Sequence, residues 1–328
     1  MPGTRPGMTL SKAPMPSEVL IKGRDAALFA ERLGPALPEL RFRAAHDPAE
    51  ALAKCASADI LIIRTDEIFA ELIEAMPKLR LIQALTTGTD HIQALPNLAK
   101  SVVLAAARGF HGPQMSELAF IYMLHFVRDL RDLFATQAAH RWNRVEQSLL
   151  EGRTAVIVGV GAIAEELAKR CQAFGMRVVG VSDGRSEAPH FDAILPRARL
   201  NEAAAQADFL IVLVPQTRET TNLIGASVFD AMKPSGVLIN IARGGVVDED
   251  ALIAALHAKT IAGAGLDVFR TEPLPKDSPL WDMPNVFITS HVGGMADTYG
   301  EQVMPLLVNN LRAFTEGQHE KVRFIVKR

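Results

Sequence analysis

The sequence has few cysteines, no block of like charge and no long apolar run. Its 328 residues include only Cys55 and Cys171, too few for a disulfide framework and without the spacing of metal ligands. The formal net charge of −2 gives no basic surface of the kind that binds nucleic acid or anionic membranes. No apolar stretch approaches the roughly 20 residues that span a bilayer. These absences predict a cytoplasmic protein with no metal, nucleic-acid partner or membrane segment.

The order of the local patterns predicts two domains. Residues 1–16 are rich in Pro, Gly, Ser and Thr and lack the apolar core of a signal peptide, so we expect a flexible tail there. Short apolar segments then alternate with helical patterns, as in βα units and parallel sheets. The first series predicts strands at residues 18–21, 40–44, 60–63, 79–85 and 102–106, and helices at 25–33, 48–56 and 66–76.

A long helix predicted at residues 113–135 leads into the second series. This series predicts a helix at 162–174 and strands at 154–160, 177–181, 209–214, 236–241, 262–268 and 286–288. A last helix at 300–315 follows it and can pack back on the first series. We therefore predict an α/β fold of two Rossmann-like or flavodoxin-like parallel-sheet domains with a cleft between them. The first comprises residues 17–108 and 297–328, and the second residues 109–296.

A glycine-rich turn in the second series predicts a dinucleotide site. The β-branched segment 155–158 runs into Gly159-Val160-Gly161-Ala162-Ile163-Ala164 and then into a helical pattern, which gives G-x-G-x-x-A between a strand and a helix. Gly159 permits the tight turn, Gly161 lets the backbone approach a pyrophosphate, and Ala164 allows close helix–strand packing. Helix N–H groups then face the phosphates. Glycines also occur in ordinary turns, so the strand–turn–helix context carries this prediction.

The residues at the end of the next strand do not decide between NAD and NADP. Asp183 can bind the ribose 2′-OH of NAD, whereas Ser182 and Arg185 can bind the 2′-phosphate of NADP. All three can also be solvated turn residues. The sequence thus predicts NAD or NADP, with use of both and at most a modest preference for NADP.

Several further strings follow in a fixed order. They are Asn240-Ile241-Ala242-Arg243-Gly244-Gly245-Val246-Val247-Asp248, then Gly265-Leu266-Asp267-Val268-Phe269-Arg270-Thr271-Glu272-Pro273, then Thr289-Ser290-His291-Val292-Gly293-Gly294. Together with the glycine-rich turn they closely resemble the D-isomer-specific 2-hydroxyacid dehydrogenases, a family that includes phosphoglycerate, glyoxylate/hydroxypyruvate and D-lactate dehydrogenases. The resemblance is strongest over residues 151–294.

The resemblance implies a role for each matching residue. It implies that Arg243 binds substrate, that Glu272 is the acid partner and that His291 is the general acid/base. In the first domain it implies that Thr87 and Gly88 hold the substrate carboxylate. Together with the glycine-rich turn and the residues after the next strand, it predicts a set of cofactor contacts in the second domain: Gly159, Gly161, Ala162, Ile163, Ser182, Asp183, Arg185, Val214, Pro215, Thr220, Ile241, Ala242, Asp267 and Gly293.

The same resemblance implies a homodimer, with the helix from about Pro113 and the segment Arg141-Trp142-Asn143-Arg144 as its arm. Trp142 can then reach the neighbouring active site. The sequence also departs from the family pattern. Ala162 stands where many members have Arg, and Ser182 stands where NAD-preferring members usually have Asp. Both departures bear on the choice of cofactor. Thr87 and Thr89 replace the commoner small or aliphatic residues, which bears on the substrate.

The residue types suit the reduction of a 2-keto acid. Arg243 is permanently charged and can hold a carboxylate in its planar fork. His291 titrates near neutrality and can protonate the keto oxygen, while a carboxylate at Glu272 would favour imidazolium. We therefore expect an oxidoreductase that interconverts a small 2-keto acid and a D-2-hydroxy acid, with glyoxylate or hydroxypyruvate as the preferred substrate.

Two other functions remain open. A nucleotide-sensing corepressor on the same fold would keep the dinucleotide site without turnover. Formate oxidation is disfavoured, because formate dehydrogenases lack the acid that corresponds to Glu272.

Overall fold

The computed structural model describes residues 17–327, which hold twelve β-strands and eleven α-helices. The tail predicted over residues 1–16 lies outside the described residues. The strands are β1 (Glu18–Lys22), β2 (Arg41–Ala45), β3 (Ile60–Ile63), β4 (Leu81–Ala84), β5 (Val103–Ala105), β6 (Thr154–Val158), β7 (Arg177–Val181), β8 (Ala193–Leu195), β9 (Phe209–Val212), β10 (Val237–Asn240), β11 (Gly263–Leu266) and β12 (Val286–Ile288).

The helices follow the same chain order. They are α1 (Ala26–Ala36), α2 (Pro48–Lys54), α3 (Ala70–Glu74), α4 (Asp90–Gln93), α5 (Gly112–Val127), α6 (Leu130–Ala138), α7 (Ala162–Ala173), α8 (Leu200–Gln206), α9 (Ala226–Ala231), α10 (Glu249–His257) and α11 (Tyr299–Thr315). Among residues 17–327, no helix combines the length and apolarity that a membrane crossing would require.

One compact unit extends to Arg108 and resumes at Asp297. Its five strands form a parallel sheet in the order β2-β1-β3-β4-β5. The returning helix α11 is tied to this sheet by Asn310, whose side chain is fully buried and donates to Gln83 Oε1 at 2.8 Å. Tyr299 adds a bond from its hydroxyl to the carbonyl oxygen of Leu85 at 2.5 Å. These bonds explain why the end of the chain folds with its beginning.

The other unit comprises Gly109–Ala296 and holds a seven-stranded parallel sheet. The strands lie in the order β12-β11-β10-β9-β6-β7-β8. From β6 the chain builds one half of the sheet through β7 and β8, and it then crosses to β9 and builds the other half, as in a doubly wound fold. Alternate residues of β6 enter different cores: Val156 and Val158 join one cluster, while Ala155 and Ile157 join another. Both faces of the sheet are therefore covered, which is why its strands read as continuous apolar runs. The predicted α/β class is confirmed.

The helix predicted at 113–135 is wrong as a single element. Helix α5 ends at Val127, and α6 begins at Leu130. Asp129 between them has φ +45°, and its side chain accepts a hydrogen bond from Asp132 N at 3.4 Å. Aspartate tolerates the left-handed region better than most residues and is a favoured N-cap. The apolar pattern of the sequence does not show this break, because the pattern depends on which side chains are buried and not on whether the helix is continuous.

Two smaller differences concern short elements. The helix predicted at 66–76 is shortened to α3, because Ile68 and Phe69 adopt extended backbone angles after an isolated 3₁₀ turn. Strand β8, which has only three residues at the sheet edge, had no separate prediction. Helices α8, α9 and α10 were likewise not assigned from the sequence, and each has nine residues or fewer. Short elements draw their stability from tertiary packing, so their local patterns are weak.

Candidate active site

The glycine-rich turn lies where β6 ends and α7 begins. Gly159 has φ +104°, and a Cβ there would come within 2.9 Å of the backbone of Leu213 and Val214. The chain after β9 thus passes directly over this glycine. Gly161 is the N-cap of α7 and supplies no capping side chain, and a Cβ on it would meet nothing within 4 Å. The open space and the uncapped first turn, which includes Ala162 and Ile163, fit the pyrophosphate of a dinucleotide.

A pocket continues from this turn toward the end of β7. It is lined by Gly159, Ser182, Asp183 and Val214, which were predicted to contact the cofactor, and by Arg197 and Leu223, which were not. Both oxygens of Asp183 are engaged by Arg197: Oδ1 accepts from its backbone N at 2.8 Å, and Oδ2 lies 3.1 Å from its Nε. Arg185 instead pairs with Glu165 on α7. Of the residues predicted to bind the ribose end of the cofactor, Ser182 and Asp183 therefore line the pocket, whereas Arg185 is bound to α7.

The loop after β9 is shaped from within by Thr220. Its hydroxyl donates to the carbonyl oxygen of Pro215 at 2.7 Å and accepts from the backbone N of Thr217 at 2.7 Å. The side chain is buried, so it fixes the loop that follows Val214. Direct contact of Pro215 and Thr220 with a cofactor stays a prediction.

Arg243 is placed by a turn at the end of β10. The buried side chain of Asn240 accepts from Ala242 N and donates to the carbonyl oxygen of Arg243, both at 3.1 Å. Ile241 enters the core, and Arg243 Nη1 donates to Ala242 O at 2.7 Å. A Cβ on Gly244 would overlap the carbonyl group of Phe269. Only glycine fits there, and its close approach brings the Arg243 turn against the segment that leads to Glu272.

His291 and Glu272 form a hydrogen-bonded pair. Nδ1 of His291 lies 2.7 Å from Oε2 of Glu272, whose other oxygen accepts from Phe269 N at 3.0 Å. The bond to Glu272 raises the pKa of His291 above its ordinary value, although burial and the charge of Arg243 oppose it. Burial acts to raise the pKa of Glu272, but the bonds from His291 and Phe269 outweigh it and hold that pKa below its ordinary value. With Nδ1 engaged, Nε2 is the atom that can exchange a proton with a ligand.

Asp267 holds the loop that carries His291. Its side chain is 1% exposed, and its carboxylate accepts from Val292 N at 2.8 Å, from Gly293 N at 2.9 Å and from Thr289 Oγ1 at 2.5 Å. His291 has φ +52°, a region that is costly for a residue with a side chain. The bonds to Asp267, with one from His291 N to its carbonyl oxygen at 2.8 Å, stabilise that conformation. Contacts of Asp267 and Gly293 with a cofactor stay predictions.

Three polar residues of this site were not predicted. Asn240 orders the Arg243 turn, Thr289 binds Asp267, and Arg197 lines the pocket at β7. Arg197 follows the unassigned edge strand β8, so no local pattern indicated that it would meet Asp183. Thr289 and Asn240 stand inside the quoted motifs, where their polar side chains at strand ends were the available signal.

Thr87 and Gly88 lie in the other unit, on the loop between β4 and α4. The hydroxyl of Thr86 donates to Gly88 O at 2.7 Å, and that of Thr87 donates to Ala107 O at 2.9 Å. These bonds fix the loop locally. A substrate contact by Thr87 or Gly88 stays a prediction.

Comparison with known proteins agrees with this architecture. Residues 120–293 match the family described as D-isomer specific 2-hydroxyacid dehydrogenase, NAD binding domain. The glyoxylate reductase of Thermococcus litoralis is 32% identical over 81% of this chain and 83% of its own. A D-isomer specific 2-hydroxyacid dehydrogenase family protein from Aeromonas salmonicida superposes with a TM-score of 0.88 and 33% identity, over 95% of this chain and 99% of that one.

A second solved structure carries a bound cofactor. It is an NADPH-dependent glyoxylate/hydroxypyruvate reductase from Sinorhizobium meliloti in complex with NADP and sulfate. It has a TM-score of 0.80 and 26% identity, over 95% of this chain and 98% of that one.

Proposed function

The chain belongs to the family of D-isomer-specific 2-hydroxyacid dehydrogenases, and on this premise we propose that it reduces glyoxylate or hydroxypyruvate to the matching 2-hydroxy acid. It is an NAD(P)-dependent oxidoreductase. The two substrates are those named for the relatives from Thermococcus litoralis and Sinorhizobium meliloti. We assign catalysis to Arg243, Glu272 and His291.

The observation that carries the proposal is the 2.7 Å bond between His291 Nδ1 and Glu272 Oε2. A histidine held in this way keeps its proton to higher pH, because its charged form is stabilised. In the reducing direction His291 Nε2 donates that proton to the keto oxygen of the substrate, and in the oxidising direction it takes the proton back. NAD(P)H supplies the hydride when bound.

Arg243 serves the substrate rather than the cofactor. Its charge acts on both His291 and Glu272, which supports its assignment to the same site as the pair. A guanidinium at this position can bind the substrate carboxylate and polarise the neighbouring carbonyl. The charge of Arg243 also opposes protonation of His291, so the bond to Glu272 is needed to stabilise the protonated imidazole.

A turnover assay tests the proposal directly. Glyoxylate, hydroxypyruvate, pyruvate and 2-oxoglutarate are supplied in turn with NADH and with NADPH, and oxidation of the nicotinamide is followed by its absorbance. We expect the highest kcat/KM with glyoxylate or hydroxypyruvate. Binding of the dinucleotide without turnover of any 2-keto acid would contradict the proposal and favour a nucleotide-sensing protein.

The proposal includes a homodimer with two-fold symmetry. The segment of residues 121–149 exposes several large apolar side chains, and that of Trp142 is 92% exposed; the set is Ile121, Phe134, Trp142, Val145 and Leu149. A contiguous apolar patch on the surface is typical of an interaction site, and the proposed dimer would cover these side chains. Two-fold dimers are the commonest oligomers of soluble proteins. In this arrangement Trp142 reaches the active site of the partner.

We also propose that the protein acts in the cytoplasm. Both Cys55 and Cys171 are buried as free thiols. Unpaired cysteines of this kind are typical of a reducing compartment.

A further inference from the structure

A cation that was not predicted, Arg197, lines the cofactor pocket and comes from the 3₁₀ turn that follows β8. Arg185, which follows β7 directly, is paired with Glu165 in the first turn of α7. It does not line the pocket, whereas Arg197 does. The phosphate that distinguishes NADP from NAD needs positive charge within hydrogen-bond reach, and here Arg185 is held by Glu165 while Arg197 lines the pocket.

The edge strand β8 brings Arg197 to this position. Ser182 N donates to Leu195 O at 2.9 Å, which ties the end of β8 to the end of β7. Two residues later the backbone N of Arg197 donates to Asp183 Oδ1 at 2.8 Å, and its Nε lies 3.1 Å from Asp183 Oδ2. Asp183 therefore fixes both the backbone and the side chain of Arg197 beside the pocket.

This pairing changes what the pocket offers to a ribose. Both oxygens of Asp183 are engaged by Arg197, so the charge of the carboxylate is offset and fewer of its lone pairs are left for a ribose 2′-OH. A guanidinium has five N–H donors. Nε of Arg197 contacts Asp183 and Nη1 donates to Glu219 O at 3.5 Å, which leaves both hydrogens of Nη2 for a ligand. Ser182 Oγ accepts from Gly184 N at 3.2 Å, which leaves its own hydrogen for donation.

We propose that Arg197, together with Ser182, binds the 2′-phosphate of NADPH and makes the protein prefer NADPH to NADH. The inference rests on the proposed dinucleotide function. Asp183 is a positioning residue for Arg197, and Arg185 has no part in the selection.

Binding measurements test this assignment without turnover. Calorimetric Kd values are obtained for NADPH, NADH, adenosine 2′,5′-bisphosphate and AMP with the full chain and with Arg197→Ala. We expect Arg197→Ala to weaken NADPH and the bisphosphate by about 10- to 150-fold, the usual value of a hydrogen bond to a charged group. NADH and AMP should change by less than about threefold, and their retained binding also shows that the variant is folded.

The chain offers two matched controls. Arg185→Ala removes the cation that stands closer to β7 in sequence. Arg199→Ala removes one in the same 3₁₀ turn as Arg197, which pairs with Glu202 and does not line the pocket. Both should leave all four ligands within about threefold of the parent protein.

The possible results separate the two proposals. Equal losses of NADPH and NADH in Arg197→Ala, no loss at all, or a selective loss in Arg185→Ala would overturn the role of Arg197 while leaving the dehydrogenase function in place. A parent protein that binds neither dinucleotide would overturn both. Added salt should weaken NADPH binding more in the parent than in Arg197→Ala, because the charge on the phosphate is screened.

Discussion

Thr289 donates its only hydroxyl hydrogen to Asp267 across 2.5 Å, and this bond joins the end of β12 to the end of β11. The hydroxyl of Tyr122 lies 2.5 Å from the same Thr289 oxygen. Since the hydrogen of Thr289 is already committed to Asp267, Tyr122 is the donor in that second bond. A chain of hydrogen bonds thus runs from helix α5 to the aspartate that holds the His291 loop.

The first prediction concerns Thr289 as a positioning residue. Thr289→Val keeps the shape but removes the donor, so the His291 loop should loosen. We expect kcat to fall by about 10- to 100-fold, since small displacements of a proton donor are costly. The Kd of NADPH should change little. Thr289→Ser restores the hydroxyl and should recover most of the activity; if Val and Ser behave alike, the hydroxyl has no part in placing His291.

The second prediction concerns proton transfer by His291. His291→Ala should lower kcat by about 10²- to 10⁴-fold, the usual contribution of a positioned acid/base, with cofactor binding retained. His257→Ala, an exposed histidine at the end of α10, is the matched control and should keep full activity. Near-normal turnover of His291→Ala on the best 2-keto acid would remove His291 from the mechanism.

The third prediction concerns the pH profile. The bond to Glu272 raises the pKa of His291, so the protonated form needed for reduction persists to higher pH. The rate of keto-acid reduction should be flat below this raised pKa and fall as the pH rises through it. Glu272→Gln removes the charge, so the pKa of His291 should drop and the decline should begin at lower pH.

The pH profile of the reverse reaction is a control for this shift in the pKa of His291. Oxidation of the hydroxy acid needs neutral His291, so its rate should rise over the same pH range and shift with it in Glu272→Gln. Glu272→Asp retains the negative charge and should lie closer to the parent protein. A profile that is unchanged in Glu272→Gln would contradict the pair.

The fourth prediction concerns the close approach at Gly244. A Cβ there would overlap the Phe269 carbonyl, so Gly244→Ala must displace backbone. We expect a loss of about 1–3 kcal/mol in the free energy of unfolding, the usual cost of overpacking, measured by urea denaturation. Gly300→Ala on α11 is the control: its Cβ would meet only Phe29 at 3.9 Å, and it should be neutral or stabilising. Equal stability of both variants would show that the turn tolerates a side chain.

The fifth prediction concerns assembly. Light scattering at assay concentrations should give the mass of a dimer. Trp142→Ala should lower kcat/KM, because the side chain reaches the partner's active site in this arrangement. Trp281→Ala, at the tryptophan that is 47% exposed, should not. A monomeric mass for the active parent protein would exclude this arrangement.

The sequence by itself determined the α/β class and the family, and it predicted Arg243, Glu272 and His291 as the catalytic residues. These follow from local information. A β-branched strand that runs into G-x-G-x-x-A needs only a few neighbouring residues to define its turn. The motif strings around Arg243, Glu272 and His291 each follow a strand, and the carboxyl ends of parallel strands lie along one edge of the sheet.

Only the tertiary structure decided which charges meet. Asp183 and Arg197 are fourteen residues apart and are joined by the edge strand β8, which is too short to leave a pattern in the sequence. Arg185 is nearer to Asp183 in sequence, yet it pairs with Glu165 across the dinucleotide turn. Likewise, the family resemblance implies only a cofactor contact for Asp267, whereas its buried carboxylate also fixes the His291 loop. Such pairings depend on strand register and side-chain direction, which the spacing of residues along the chain does not specify.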